Sequence, residues 1–200
     1  MGLEEHVAAW SAVHGGLAPS PLVRRYLRVV HAVAEPVART GVHPDLLTLL
    51  ALGVALPVLW VPAPVAAVLV LVSALLDALD GGVALLQGRP TPWGYVLDSV
   101  VDRLCEGLFL AALLLAGAPL GLAVACGSAI VLLEYTRARA GNAGGDEVGT
   151  VTVAERPVRV LLPVSGLLLD QPAVALWGLA ALTAVGLAQL LLAVRRQLTA

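Results

Sequence analysis

The stretch DALDGGVALLQGRPTPWGYVLDSVVDRLCE, residues 77–106, decides the fold and the chemistry of this chain. Asp77 and Asp80 are three residues apart, and Asp98 and Asp102 are four apart, so each pair shares one face of a helix. The glycine and prolines between the pairs predict a tight turn. If the two helices fold back about this turn, the four carboxylates meet at one depth, about 15 Å from the turn at the α-helical rise.

The sequence on either side of this stretch is strongly apolar. Hydrophobic residues make up 59% of the 200-residue chain and charged residues 13%, whereas soluble domains are nearer half apolar and a quarter charged. Turn and breaker residues divide the chain into six apolar stretches close to the roughly 20 residues that cross a bilayer. These predicted spans cover residues 45–61, 64–87, 93–117, 119–138, 155–170 and 172–195.

The segment before the first span has a different pattern. Residues 22–40 mix arginine with apolar residues at helical spacing, which predicts an amphipathic helix along the membrane surface. We therefore expect an all-α, polytopic membrane protein with six transmembrane helices preceded by an interfacial amphipathic helix. Residues 1–40 would form the N-terminal segment with this helix, and residues 41–200 the six-helix membrane domain.

The basic residues indicate the orientation in the membrane. All twelve are arginine, and the loops near residues 61–64, 117–119 and 170–172 contain none. The positive-inside rule then places both termini and the acidic site on the cytoplasmic side of a bacterial-type inner membrane. The net charge of −2 gives no case for nucleic acid.

Four carboxylates at membrane depth are costly unless they are paired, hydrated or bound to a metal. Clustered hard oxygen ligands suit Mg²⁺ or Mn²⁺, and also Ca²⁺. Gly81, Gly82 and Gly94 remove side chains beside the acids, which permits close approach of a phosphate ligand to the backbone. The alternative is a structural role, in which the acids line a water-filled cavity or pair with arginines.

A second group of residues suggests an anion site. Four arginines flank the loop between the fourth and fifth spans, namely Arg137, Arg139, Arg156 and Arg159. Arginine is suited to bidentate contact with phosphate, so this cluster predicts a pocket for a phosphorylated ligand. The alternative is that these residues only anchor the orientation of the spans.

The acidic stretch resembles the motif of the CDP-alcohol phosphotransferase family, D-x-x-D-G-x-x-A-R-x8-G-x-x-x-D-x-x-x-D. The matching positions are Asp77, Asp80, Gly81, Ala84, Gly94, Asp98 and Asp102. Leu85 stands where the motif has arginine, the residue expected to meet the CDP diphosphate. Leucine cannot donate a hydrogen bond or offset charge.

Shorter stretches are similar to bacterial phosphatidylinositol-phosphate synthases. They are LDSVVDRLCEG at residues 97–107, YTRARA at 135–140, the Glu155-Arg156 segment, and Pro44-Asp45 with Thr48 at the start of the first span. The resemblance covers residues 40–160 and favours inositol phosphate as the acceptor.

The resemblance also implies residue roles. Asp77, Asp80, Asp98 and Asp102 would hold the metal, and Asp102 would also act as the base. The CDP-alcohol site would comprise Asp45, Thr48, Asp77, Gly81, Ala84 and Thr91, with the acceptor on the four arginines. The implied enzyme transfers a phosphatidyl group from CDP-diacylglycerol or another CDP-alcohol to a small alcohol, releases CMP, and forms a homodimer in the bilayer.

Two other functions stay open on the sequence alone. A transporter with an acidic ion site would share the intramembrane carboxylates, although it would not require the glycine and alanine spacing around them. A degenerate, inactive member of the family would explain Leu85.

Overall fold

The computed structural model describes residues 2–13, 19, 21–143 and 151–199, and the regular secondary structure in these residues is helical. Parts of the predicted N-terminal segment (14–18 and 20) and of the loop after the fourth span (144–150) lie outside the described residues. The helices are α1 Leu3–Val13, α2 Pro21–Arg39, α3 Pro44–Ala55, a 3-10 turn Leu56–Leu59, α4 Ala63–Leu86, α5 Pro92–Leu115, α6 Leu120–Asn142, α7 Arg156–Leu168 and α8 Pro172–Thr199.

Proline and glycine set many of the helix ends. Helices α2, α3, α5 and α8 begin at a proline, which lacks the N–H group that a first helical residue leaves unbonded. Gly41, Gly88 and Gly117 follow α2, α4 and α5 with positive φ angles of 75°, 64° and 106°. Glycine adopts this left-handed conformation without the Cβ clash that other residues incur, so each chain turn follows directly from the sequence.

A helix lies at each of the six predicted spans, but only some meet the requirement for crossing a membrane alone. Among the described residues, α4, α6 and α8 are long and apolar enough, with 24, 23 and 28 residues. A fourth candidate joins Leu27–Arg39 to Pro44–Leu59 across a bend of 110°. Helix α5 is long enough but carries four charged residues, and α7 has only 13 residues, or about 20 Å of rise.

Contacts between Cα atoms divide the chain into two compact units. The first unit comprises Met1–Val54 and Val72–Asp102, and the second Ala55–Leu71 and Arg103–Ala200. The core of the first unit joins α2, α3 and α4 through Ala34, Leu47, Leu79 and Val83.

The second unit is built on close contacts of α8 with α6 and α7. Leu133 and Leu190 pack with Ala154 in its core. A Cβ at Gly166 would lie 2.5 Å from the Ala175 Cβ, so the close approach of α7 and α8 depends on this glycine. Large apolar side chains such as Leu132, Trp177 and Leu192 are exposed on α6 and α8, as expected of helices whose solvent is lipid.

Candidate active site

The turn between α4 and α5 fixes the geometry of the acidic stretch. The Gly88 N–H donates to the Leu85 carbonyl at 3.1 Å, and the Arg89 N–H donates to the Ala84 carbonyl at 2.9 Å. This is the Schellman arrangement that ends a helix on a glycine with positive φ. The Gln87 side-chain amide donates to the carbonyls of Ala38 and Val42, at 3.1 and 3.0 Å, and so ties the turn to the end of α2.

Three of the four predicted metal ligands come together across this hairpin. Each of Asp77, Asp98 and Asp102 places one carboxylate oxygen within 4.8 Å of an oxygen from the other two. Asp77 is buried, with 8% exposure, and the other two are half-buried.

This donor set fits a divalent metal. Ligand oxygens around one Mg²⁺ lie at most about 4.2 Å apart, which is compatible with carboxylate oxygens that lie within 4.8 Å of one another, and hard carboxylate oxygens are the ligands this ion prefers. Three like charges this close also repel one another without a cation between them. The predicted convergence is therefore confirmed for Asp77, Asp98 and Asp102.

Asp80 is placed differently from the other three aspartates. Its buried carboxylate accepts hydrogen bonds from the Thr48 hydroxyl and from the Gly81 N–H. It does not join the 4.8 Å group. Residues three apart on a helix point about 60° apart around its axis, so Asp77 reaches α5 while Asp80 reaches α3. Direct ligation of metal by Asp80 stays a prediction.

A cavity of about 330 Å³ lies in the first unit beside these carboxylates. Asp98 belongs both to the cavity wall and to the 4.8 Å group. The wall also includes most of the residues predicted to bind the CDP-alcohol, namely Asp45, Thr48, Gly81, Ala84 and Thr91. Asp77, the sixth predicted residue, lies in the carboxylate group instead. Ligand sites in proteins span about 300–1,000 Å³, so this cavity is large enough to hold a small molecule or one end of a larger one.

The glycines beside the cavity have different structural roles. A Cβ at Gly81 would have no neighbour within 4 Å, so the space next to this cavity-lining residue is open. A Cβ at Gly94 would lie 3.1 Å from the Thr91 hydroxyl and 3.4 Å from an Asp45 carboxylate oxygen. A Cβ at Gly82 would lie 2.8 Å from the Val30 Cγ1, so Gly82 permits the packing of α2 on α4. Gly81 and Gly94 therefore keep the cavity clear, as the sequence predicts.

The arginines predicted to bind the acceptor lie in the second unit, where Arg137 and Arg159 contact glutamates. Arg159 is 4% exposed and contacts Glu106 at 3.2 Å and Glu134 at 2.7 Å. Arg137 contacts Glu155 at 2.9 Å and Glu134 at 3.6 Å. These pairs form a largely buried ionic network in which arginine and glutamate charges offset one another.

Arg103 joins the same network, through Glu106 at 2.9 Å and Glu134 at 3.6 Å. By contrast, Arg139 is exposed and lies 5.8 Å from the centre of the Tyr135 ring. Arg156 is half-buried at the start of α7. The glutamate partners were missed from the sequence, although acids within or at the ends of apolar stretches, Glu106, Glu134 and Glu155, were a signal for buried pairing.

Comparison with known proteins agrees with the helical fold. The profile of the CDP-alcohol phosphatidyltransferase family matches residues 41–194. The chain therefore belongs to the CDP-alcohol phosphatidyltransferase family, and it is a membrane enzyme of the transferase class. The matched region begins where the membrane domain is predicted to begin.

Similar curated proteins are archaetidylinositol phosphate synthases and phosphatidylinositol phosphate synthases. The chain is 36% identical over 141 residues to an archaetidylinositol phosphate synthase of Aeropyrum pernix, covering 67% of this chain and 72% of the relative. It is 34% identical over 172 residues to a phosphatidylinositol phosphate synthase of Corynebacterium glutamicum, covering 76% and 78%.

Solved structures show the same fold. The phosphatidylinositol phosphate synthase of Mycobacterium tuberculosis with CDP-DAG bound superposes with a TM-score of 0.67 and 26% identity, covering 84% of this chain and 94% of that one. The same enzyme in complex with manganese and citrate gives a TM-score of 0.69 and 25% identity, covering 83% and 88%.

Proposed function

We propose that this protein transfers a phosphatidyl or closely related phosphoalcohol group from a CDP-alcohol to inositol phosphate and releases CMP. The observation that carries the proposal is that Asp98 is shared between a three-carboxylate group and the wall of a 330 Å³ cavity. A diphosphate bound in that cavity would lie beside a cation held by the carboxylates. The relatives that make or bind the corresponding lipids support the choice of substrates.

The donor is CDP-diacylglycerol or another CDP-alcohol. Asp45, Thr48, Gly81, Ala84 and Thr91 are proposed to contact its nucleotide and diphosphate, since all five line the cavity. Asp77 is proposed to reach the same ligand from the neighbouring carboxylate group. The open space beside Gly81 is where the ligand would approach the backbone most closely.

Mg²⁺ or Mn²⁺ is the proposed cofactor, held by Asp77, Asp98 and Asp102, with Asp80 as a further ligand. When bound, the cation offsets the charge that develops on the diphosphate as CMP departs. The Thr48 hydroxyl and the Gly81 N–H hold the carboxylate of Asp80 in one orientation, which reduces the reorganisation needed for ligation.

Asp102 is proposed to act as the base. The acceptor hydroxyl oxygen attacks the phosphorus attached to the lipid alcohol, and its proton passes to the Asp102 carboxylate. The bond from that phosphorus to the bridging oxygen breaks, and the electron pair leaves with CMP. The product is a phosphodiester.

The acceptor phosphate is proposed to bind to the arginines of the second unit. Arg139 is exposed and carries the proposal, and Arg156, at the start of α7, is assigned to the same site. Arg137 and Arg159 already contact glutamates, and direct binding of phosphate by either would require an ion pair to open. We therefore assign Arg137 and Arg159 a supporting part in the same site.

The membrane arrangement is also a proposal. It comprises an interfacial helix at residues 22–40 within a segment 1–40, six spans in residues 41–200, cytoplasmic termini in a bacterial-type inner membrane, and a homodimer. The arginine bias and the helices at all six positions support it. Labelling of single cysteines by a membrane-impermeant maleimide in intact cells tests the topology: labelling at exposed Gln171 but not at exposed Asn142 is expected, and the reverse would contradict the orientation.

The acceptor is tested with purified protein, CDP-diacylglycerol and Mg²⁺ or Mn²⁺. Release of CMP is measured with inositol phosphate, inositol and glycerol phosphate as separate acceptors. We expect inositol phosphate to give the highest kcat/KM. Preference for an uncharged alcohol would contradict the proposed acceptor, and no release with any acceptor would favour an inactive relative.

A further inference from the structure

Arg89 occupies an unusual position at the end of α4. In the Schellman arrangement described above, the residue after the glycine folds back beside the residue five positions earlier. Here these two residues are Arg89 and Ala84, joined by the 2.9 Å hydrogen bond from the Arg89 N–H. Both line the same cavity, together with Leu85. The turn thus returns an arginine to the level of Ala84, one residue before the position where the family motif has its own arginine.

The charges around the cavity make this arginine significant. The side chains in its wall that carry a charge at neutral pH are Asp45, Asp80, Asp98 and Arg89. Arg89 is thus the wall's single basic residue, and it takes part in none of the ion pairs found among the described residues. A ligand with a diphosphate would otherwise meet an acidic and apolar wall, apart from any metal. Guanidinium offers a fork of N–H donors that matches phosphate oxygens.

The turn is also held in place before any ligand binds. Gln87, two residues earlier, donates to the carbonyls of Ala38 and Val42. The backbone of Arg89 is fixed by its own bond to Ala84. Only the side chain of Arg89 must be ordered on binding, which limits the entropy cost of the contact.

We propose that Arg89 binds the diphosphate of the CDP-alcohol and supplies the cationic contact that Leu85 cannot make. This inference rests on the proposed function, because it assigns a further binding residue to the same cavity. It also explains how the site can be active although its motif lacks an arginine. The competing explanation is that Arg89 only anchors the orientation of the hairpin in the membrane.

The test compares four purified variants with wild type: Arg89→Gln, Arg89→Lys, the double variant Leu85→Arg with Arg89→Gln, and Arg39→Gln as the control. Arg39 is an exposed arginine of the same unit that pairs with Glu35 at 2.7 Å. The dissociation constant for CDP with Mg²⁺ is measured by calorimetry, and the KM values for donor and acceptor by CMP release. Thermal unfolding confirms that each variant is folded.

We expect Arg89→Gln to weaken CDP binding about 10- to 100-fold, the range for loss of a charge-assisted hydrogen bond. The donor KM should rise in parallel, while the acceptor KM and the Arg39→Gln control stay near wild type. Arg89→Lys should recover part of the affinity, and the double variant should recover more.

Arg89→Gln with wild-type affinity for CDP would overturn the inference. Loss of CMP release in Asp98→Asn would show in that case that the proposed function stands without it. A wild-type protein that binds no CDP with metal would overturn both. The double variant serves only as a rescue, so a failure of Leu85→Arg to fold leaves the decision to the Gln and Lys variants.

Discussion

Replacing Gly81 and Gly82 by alanine, one at a time, separates the role of the cavity from that of helix packing. The two glycines are neighbours on α4, so each change gains the same helix propensity, about 1 kcal/mol. Their surroundings differ. A Cβ at Gly82 would lie 2.8 Å from the Val30 Cγ1 and 3.3 Å from the Ala34 Cβ, whereas a Cβ at Gly81 meets nothing within 4 Å.

The magnitude follows from these distances. Optimal contacts between carbon atoms are about 3.5–4.0 Å, so in the Gly82→Ala variant α2 would have to move away from α4 by several tenths of an ångström. Val30 is β-branched and has little rotamer freedom in a helix, and the Cβ of Ala34 moves only with its backbone. Overpacking of this kind costs about 1–3 kcal/mol. Because the propensity gain cancels between the variants, Gly82→Ala should be less stable than Gly81→Ala by that amount.

Ligand binding should show the opposite order. The alanine methyl at position 81 would project beside the cavity where the diphosphate is proposed to lie, and should weaken CDP binding at least about tenfold. Thermal unfolding in detergent micelles measures the stability of both variants, and calorimetry with CDP and Mg²⁺ measures binding. Wild-type CDP affinity in Gly81→Ala would refute the placement of the ligand, and equal stability of the two variants would refute the packing argument.

Three further predictions concern charged or charge-bearing positions. Arg159→Gln should destabilise the protein by about 3–5 kcal/mol in an unfolding experiment, because it leaves buried Glu106 without this partner; a stable variant with only a raised acceptor KM would contradict the network. Arg139→Gln should leave stability unchanged and raise the acceptor KM several-fold, since Arg139 is exposed; an unchanged acceptor KM would remove it from the acceptor site. Leu85→Arg should keep or strengthen CDP binding, because it adds donors to the cavity wall; a clear loss of affinity in the folded variant would show that the cavity takes another ligand.

Local chemistry explains what the sequence predicted correctly. Prolines and glycines with fixed backbone preferences placed the helix ends, as at Gly41, Gly88 and Gly117. Helical periodicity, counted from the turn, was enough to predict that Asp77 lies close to Asp102, because both the rise and the rotation per residue are constant.

Long-range pairing explains what the sequence did not predict. The partners of Arg159 lie 25 residues away in Glu134 and further away in Glu106, and only the packing of α5, α6 and α7 in the second unit brings them together. The four arginines looked alike as a cluster, yet one is buried in ion pairs while Arg139 is exposed. Residue spacing carries no information about such tertiary partners.

The boundaries of the fourth span were also shifted. Helix α6 continues to Asn142, so Gly141 lies inside the helix rather than in the loop that the glycine predicted. Arg137 and Arg139 are therefore helical residues. Arg137 contacts Glu134, one helical turn earlier, at 3.6 Å, and it forms a shorter ion pair with Glu155 at 2.9 Å. Such contacts offset the free-energy cost of a glycine within the helix.

The central claim is that a metal held by the α4–α5 carboxylates is required for transfer from a CDP-alcohol. The most direct measurement is CMP release from CDP-diacylglycerol and inositol phosphate, by wild type and Asp98→Asn, with Mg²⁺ or Mn²⁺ and with excess EDTA. Asparagine keeps the size of the side chain but removes the charge that holds a hard cation. The structure predicts release by wild type that EDTA abolishes and added metal restores, and at least about 100-fold less release by Asp98→Asn, the loss expected when a group that stabilises transition-state charge is removed. Metal-independent release, or release by a folded Asp98→Asn at the wild-type rate, would contradict the claim.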